Sequence, residues 1–146
     1  MRIVGSWVRF DDGESRPIIR AKVQTGLGSM VSAQFLVDTG ADRSVFSADL
    51  LGQLDLPVGA APTEMQLHGI SGAAGFVLVD SVIELSRDDG GPARIRGTFA
   101  AFTDPLATDV SILGRDILNH FDVVLSRRNN EVLLLSQRHA YQVVTR

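Results

Sequence analysis

The sequence predicts an all-β domain, closed into a barrel or folded as a sandwich. Apolar and polar residues alternate through most of the chain, the period of a half-buried strand. Turn signals recur between these stretches at short intervals. Helical spacing is confined to two short stretches. Frequent short strands separated by turns point to a closed or sandwiched β fold.

The elements follow in order. Ile3 to Phe10 reads as a strand ending at the Asp11-Asp12-Gly13 turn. Ile18–Gln24 and Val31–Val37 form a hairpin, with Gly26-Leu27-Gly28-Ser29 turning between them. Ser47 is a good N-cap residue, and Leu50, Leu51 and Leu54 behind it share one side of a short helix. Met65–His68 and Phe76–Leu85 flank Gly69-Ile70-Ser71-Gly72-Ala73-Ala74-Gly75, a glycine-rich hairpin tip. Asp88-Asp89-Gly90-Gly91-Pro92 turns the chain into a strand over Ala93–Phe102. An apolar strand then ends at Gly114, and Arg115 to Phe121 has Ile117, Leu118 and Phe121 at helical spacing. Both helices are too short to stand alone and need packing to hold them. Val123–Ser126 and Val132–Leu135 bracket Arg127-Arg128-Asn129-Asn130, where paired asparagines tolerate the left-handed backbone of a tight turn.

Composition narrows the chemistry. The chain has 146 residues, room for one domain over 1–146, and is 45% apolar and 21% charged. It contains no cysteine, which removes disulfides, thiol nucleophiles, thiolate zinc sites and iron–sulfur clusters. Lys plus Arg is 14 against 17 Asp plus Glu, a net charge of −3. That balance carries no footprint for a nucleic-acid backbone or an anionic membrane. The first residues are too polar for a signal-peptide core, and no run approaches the length of a membrane helix, so the expected location is the cytoplasm. His68, His120 and His139 lack metal-ligand spacing, and no metal or other cofactor is expected.

Two segments bear on function. In the first, Phe35-Leu36-Val37 runs into Asp38-Thr39-Gly40-Ala41-Asp42, with Ser44 beyond. A carboxylate directly after a buried run is held at the end of a rigid element. Thr39 sets a hydroxyl beside it, and Gly40 allows a tight turn. Taken alone, Asp-Thr-Gly is more readily an ordinary turn. In the second, Ile112-Leu113 leads into Gly114-Arg115 and a helix, which alone reads as a strand-to-helix junction.

Together, in this order, the two segments resemble the retropepsin-like aspartic proteases, the single-domain homodimers typified by retroviral enzymes. The resemblance spans about residues 17–135, and the added strand 3–10 and the tail 136–146 are closer to bacterial and cellular members. It implies a closed acid-protease barrel with one short helix near the C-terminal third and a flap hairpin. It also implies an aspartic endopeptidase in which Asp38, Thr39 and Gly40 are catalytic. A single Asp-Thr-Gly supplies one carboxylate where peptide hydrolysis by this route needs two, so a homodimer bringing Asp38 to a second Asp38 is expected. An extended peptide would bind at Ala41, Asp42 and the flap residues His68, Gly69, Ile70, Ser71 and Gly72. Asp42 and Arg115 would form a buried structural ion pair beneath the site, beside Gly114. Val123–Leu125 and Val132–Leu135 are expected near the dimer axis. The competing readings are a dimeric peptide-binding module of the same fold without useful turnover, and a β-barrel ligand binder with a chance motif match.

Overall fold

The computed structural model describes residues 1–60 and 75–136. Along them run β1 (Arg2–Arg9), β2 (Ser15–Gln24), β3 (Met30–Val37), β4 (Val45–Phe46), α1 (Ala48–Leu54) and β5 (Gly59–Ala60). β6 (Phe76–Ser86), β7 (Pro92–Phe102), β8 (Ser111–Leu113), α2 (Arg115–Leu118), β9 (Asp122–Ser126) and β10 (Glu131–Leu135) follow. The described residues are mostly β, with two short helices. Six strands close a barrel in the order β6–β7–β4–β8–β3–β2, and the pairing of β2 with β6 shuts the ring. β1, β10 and β9 continue the sheet beyond β2.

The closure depends on strands that change partner along their length. β2 holds β3 along one edge and divides the other, pairing Ser15–Ile18 with β1 and Ala21–Val23 with β6. β1 divides likewise, with Arg2–Gly5 on β10 and Ser6–Arg9 on β2. Gly5 sits at that changeover. A Cβ there would fall 2.3 Å from the Ile18 carbonyl oxygen and 2.6 Å from Ile19 Cδ1, so only glycine lets the strands cross this closely.

Alternation sorts the side chains. On β2, Ile19, Ala21 and Val23 are buried while Arg20 and Lys22 are exposed. The interior is centred on Phe35, Phe46 and Phe99, with ring centroids 6.0 Å and 5.3 Å apart in successive pairs. Each such buried ring contributes about 1.5–3 kcal/mol of burial free energy. α1 lays Leu50 and Leu54 on this core, and its N-cap Ser47 accepts the Leu50 N–H at 3.2 Å.

The strands and turns read from alternation lie close to their expected bounds, and Asn130 adopts φ 55 at the β9–β10 turn. One expectation about these elements needs revision. The second helix stops at Leu118 instead of Phe121, because its last amides tighten: His120 N–H bonds Ile117 and Phe121 N–H bonds Leu118, a 3₁₀ pattern. β10 is an interior strand between β1 and β9, and its Val132, Leu134 and Leu135 are buried in the chain's own core. Among the described residues, β9 presents the free edge in this part of the sheet. The Met65–His68 strand, the hairpin tip up to Ala74 and the tail from residue 137 lie outside the described residues.

Candidate active site

β3 and β8 run parallel, with Phe35 opposite Ser111, Leu36 opposite Ile112 and Val37 opposite Leu113. Both are apolar runs that end together at the same end of the barrel. Asp38 is the first residue past β3, and its N–H donates to the Leu113 carbonyl at 3.1 Å. The candidate carboxylate is thus fixed to two strands. The chain then doubles back: Gly40 N–H donates to Asp38 Oδ1 at 2.9 Å, and Ala41 N–H to the Asp38 carbonyl at 3.2 Å. Ala41 is buried beside Val45, Ala100, Phe102 and Ile112, which anchors the far side of the turn. Asp38 is half-buried, while Thr39 and Gly40 are exposed. A Cβ on Gly40 would sit 3.2 Å from Asp38 Oδ1, against the atom its own amide binds.

The short helix α2 supports this turn from below. Arg115 N–H donates to the Ala41 carbonyl at 2.9 Å, and Asp116 N–H to the Asp42 carbonyl at 3.3 Å. The Arg115 guanidinium forms an ion pair with Asp42 and donates to the Thr39 carbonyl at 3.3 Å. Their side chains are 46% and 41% exposed, so the pair is half in solvent and not buried as expected. The reason is topological: Asp42 lies on the outer limb of the turn, past the buried Ala41, and Arg115 opens a helix whose buried residues are Ile117 and Leu118.

The buried polar contact lies one layer deeper. Ser44 is fully buried. Its hydroxyl accepts the Gly114 N–H at 3.0 Å and donates to Asp116 Oδ1 at 2.7 Å. The same carboxylate oxygen accepts the Ser44 and Ile117 amides, each at 2.9 Å. Gly114 passes so close to the Arg43–Ser44 backbone that a Cβ would lie 2.4 Å from the Arg43 carbonyl carbon.

The fold therefore brings Asp38, Thr39, Gly40, Ala41, Asp42, Gly114 and Arg115 together from segments far apart in sequence. His68, Gly69, Ile70, Ser71 and Gly72 lie outside the described residues. Asp116 is the residue that sequence reasoning missed. A carboxylate in the first turn of a helix is an ordinary complement to the helix dipole. Its position two residues past Gly114, facing a buried serine, was the available signal. Among the described residues no three His, Asp or Glu side chains cluster as metal ligands. No described helix is long and apolar enough to cross a membrane.

Comparison with known proteins bears on the fold. The structure is similar to a retropepsin-like aspartic protease from Rickettsia conorii, with a TM-score of 0.55 at 18% identity, covering 92% of this chain and 90% of that one. It is similar also to EIAV protease in complex with the inhibitor HBY-793, with a TM-score of 0.50 at 23% identity over 77% of this chain and 92% of the other. At these identities the likeness is one of fold. No curated protein sequence matches the chain. The model of the retroviral aspartyl protease family matches residues 13–126, which takes in both the Asp38 turn and the Gly114–Arg115 junction. With most of its length matched and its fold that of a retropepsin, the chain belongs to the retroviral aspartyl protease family.

Proposed function

We propose that the chain is an aspartic endopeptidase active as a homodimer, with Asp38 of each copy forming the catalytic pair. The observation that carries this reading is the seating of Asp38. Its backbone is tied to β8, one carboxylate oxygen is held by the Gly40 amide, and the other has no hydrogen-bond partner among the described residues. A carboxylate positioned this rigidly, with one oxygen open, can act on a bound water. Two of them across a two-fold axis share a proton, so that one takes a proton from water while the other protonates the peptide carbonyl oxygen. Thr39 would stabilise the turn against its partner copy. The substrate would be an extended peptide gaining main-chain hydrogen bonds in strand fashion, with Ala41, Asp42 and the His68–Gly72 segment as its contacts.

The test is cleavage of a peptide library over a pH series from about 4 to 7. Wild-type protein is expected to cut and Asp38→Asn protein to lose the activity while keeping its melting temperature. A verified dimer that cuts nothing identifies a peptide-binding module instead. Equal cleavage by the variant places the activity elsewhere.

A further inference from the structure

The outward face of β2, β3, β6 and β7 concentrates positive charge on a chain whose net charge is −3. Strand register puts Ser32 beside Lys22, Lys22 beside Glu84 and Glu84 beside Arg94, one row across four strands. Arg20 stands beside Gln34 in the row on one side. Arg96 stands beside Val82 in the row on the other. Both β6 carboxylates on this face are engaged. Glu84 is paired with Arg94 at 2.9 Å, and Asp80 accepts a hydrogen bond from the Thr98 hydroxyl. Arg20, Lys22 and Arg96 make no ion pair with any described residue. Two grooves of about 430 Å³ mark the face, one lined by Arg20, Lys22, Ser32 and Gln34, the other by Arg94 and Arg96. None of these residues belongs to the Asp38 turn.

We infer that this face binds an extended acidic segment of another polypeptide. The spacing matches such a ligand. Arg20 and Lys22 are alternate residues of one strand, roughly 6.6 Å apart along it, and side chains two apart on an extended peptide have the same repeat. Carboxylates at alternate positions meet both cations, while Ser32 and Gln34 alongside offer uncharged donors and acceptors to the groups between. The choice of an acidic peptide over a nucleic acid follows from two facts. No aromatic side chain lines either groove to stack a base. A long polyanion also extends past the roughly 8 Å Debye length of the patch and meets a chain of net negative charge.

The experiment is fluorescence anisotropy at low salt with a labelled Glu-Ser repeat peptide, using Asp38→Asn protein so that the probe stays intact whatever the peptidase activity. Arg20→Glu/Lys22→Glu is expected to weaken binding at least tenfold with unchanged melting, and Arg20→Gln/Lys22→Gln to weaken it less, in the same direction. The neutral pair keeps the surface close to native should the charge reversal disturb folding. Binding that is the same in wild type and both variants overturns the inference. So does a single-stranded oligonucleotide of equal charge that binds as tightly, since the face would then be a general polyanion surface.

Discussion

Ser44 is the residue on which the two halves of the site meet. Its hydroxyl is the acceptor for a buried amide, Gly114, and a donor to Asp116. Ser44→Ala leaves the Gly114 N–H without a partner in a place water does not reach, a cost of about 1–3 kcal/mol. Chemical denaturation is expected to show that loss, and a change under about 0.5 kcal/mol, the scatter of ordinary surface substitutions, would show that the network carries little. Arg115 behaves differently because its ion pair with Asp42 is half in solvent. Such a pair is worth about 0–1 kcal/mol, and Arg115→Ala is expected to lower the melting temperature by no more than about 4 °C. Arg115 also holds the carbonyl of Thr39, next to the candidate catalytic carboxylate. Peptide cleavage by Arg115→Ala should therefore fall further than its small loss of stability explains. Activity equal to wild type would limit Arg115 to the surface pair.

The elements separate what a sequence discloses from what it cannot. β2, β3, β6 and β7 were legible because each is long enough to show alternation. β4 was not, because Val45 and Phe46 alone carry no period. They are strand because Ala100, Ala101 and Ile112 arrive from far along the chain to pair with them. The Asp38 turn was legible as a motif, but its support from Asp116 depends on a contact over 72 residues of sequence. The β6–β7 connection yields a prediction at this scale. Asp89 Oδ1 accepts the Gly91 N–H at 3.1 Å, and its carboxylate pairs with Arg87. The Gly91 amide first, and then Arg87, hold the Asp89 carboxyl below the ordinary aspartate range against opposing desolvation. A folded-state pKa below the unfolded value means the capped turn contributes fully above about pH 3.9, the unfolded value, and weakens as pH falls through the folded one. An NMR titration should place the Asp89 carboxyl below its ordinary value, with the Gly91 amide shift following the same inflection. Asp89→Asn should remove that inflection, and an Asp89 that titrates at the ordinary value would contradict the capping.

At the scale of the whole molecule, the described residues form a barrel carrying half of the proposed catalytic pair. They offer a free β-edge at β9, with Leu125 40% exposed and Val4 57% exposed on β1. When wild-type and Asp38→Asn chains are unfolded together in equal amounts and refolded, random pairing makes about one quarter of the dimers wild type on both sides. About half are mixed, with a single Asp38 carboxylate facing an amide. An amide cannot take a proton from water, so the mixed dimers should be inactive. Activity should fall to about one quarter of that of wild type refolded at the same total concentration, and should follow the square of the wild-type fraction across a mixing series. A chain that carries a complete site by itself gives a straight line instead, with about half the activity at equal mixing. Sedimentation of the same samples must show the dimer throughout, so that curvature cannot come from weaker association of the variant. A linear series in a verified dimer would mean that each Asp38 works without the other, and the two-carboxylate mechanism would fail with it.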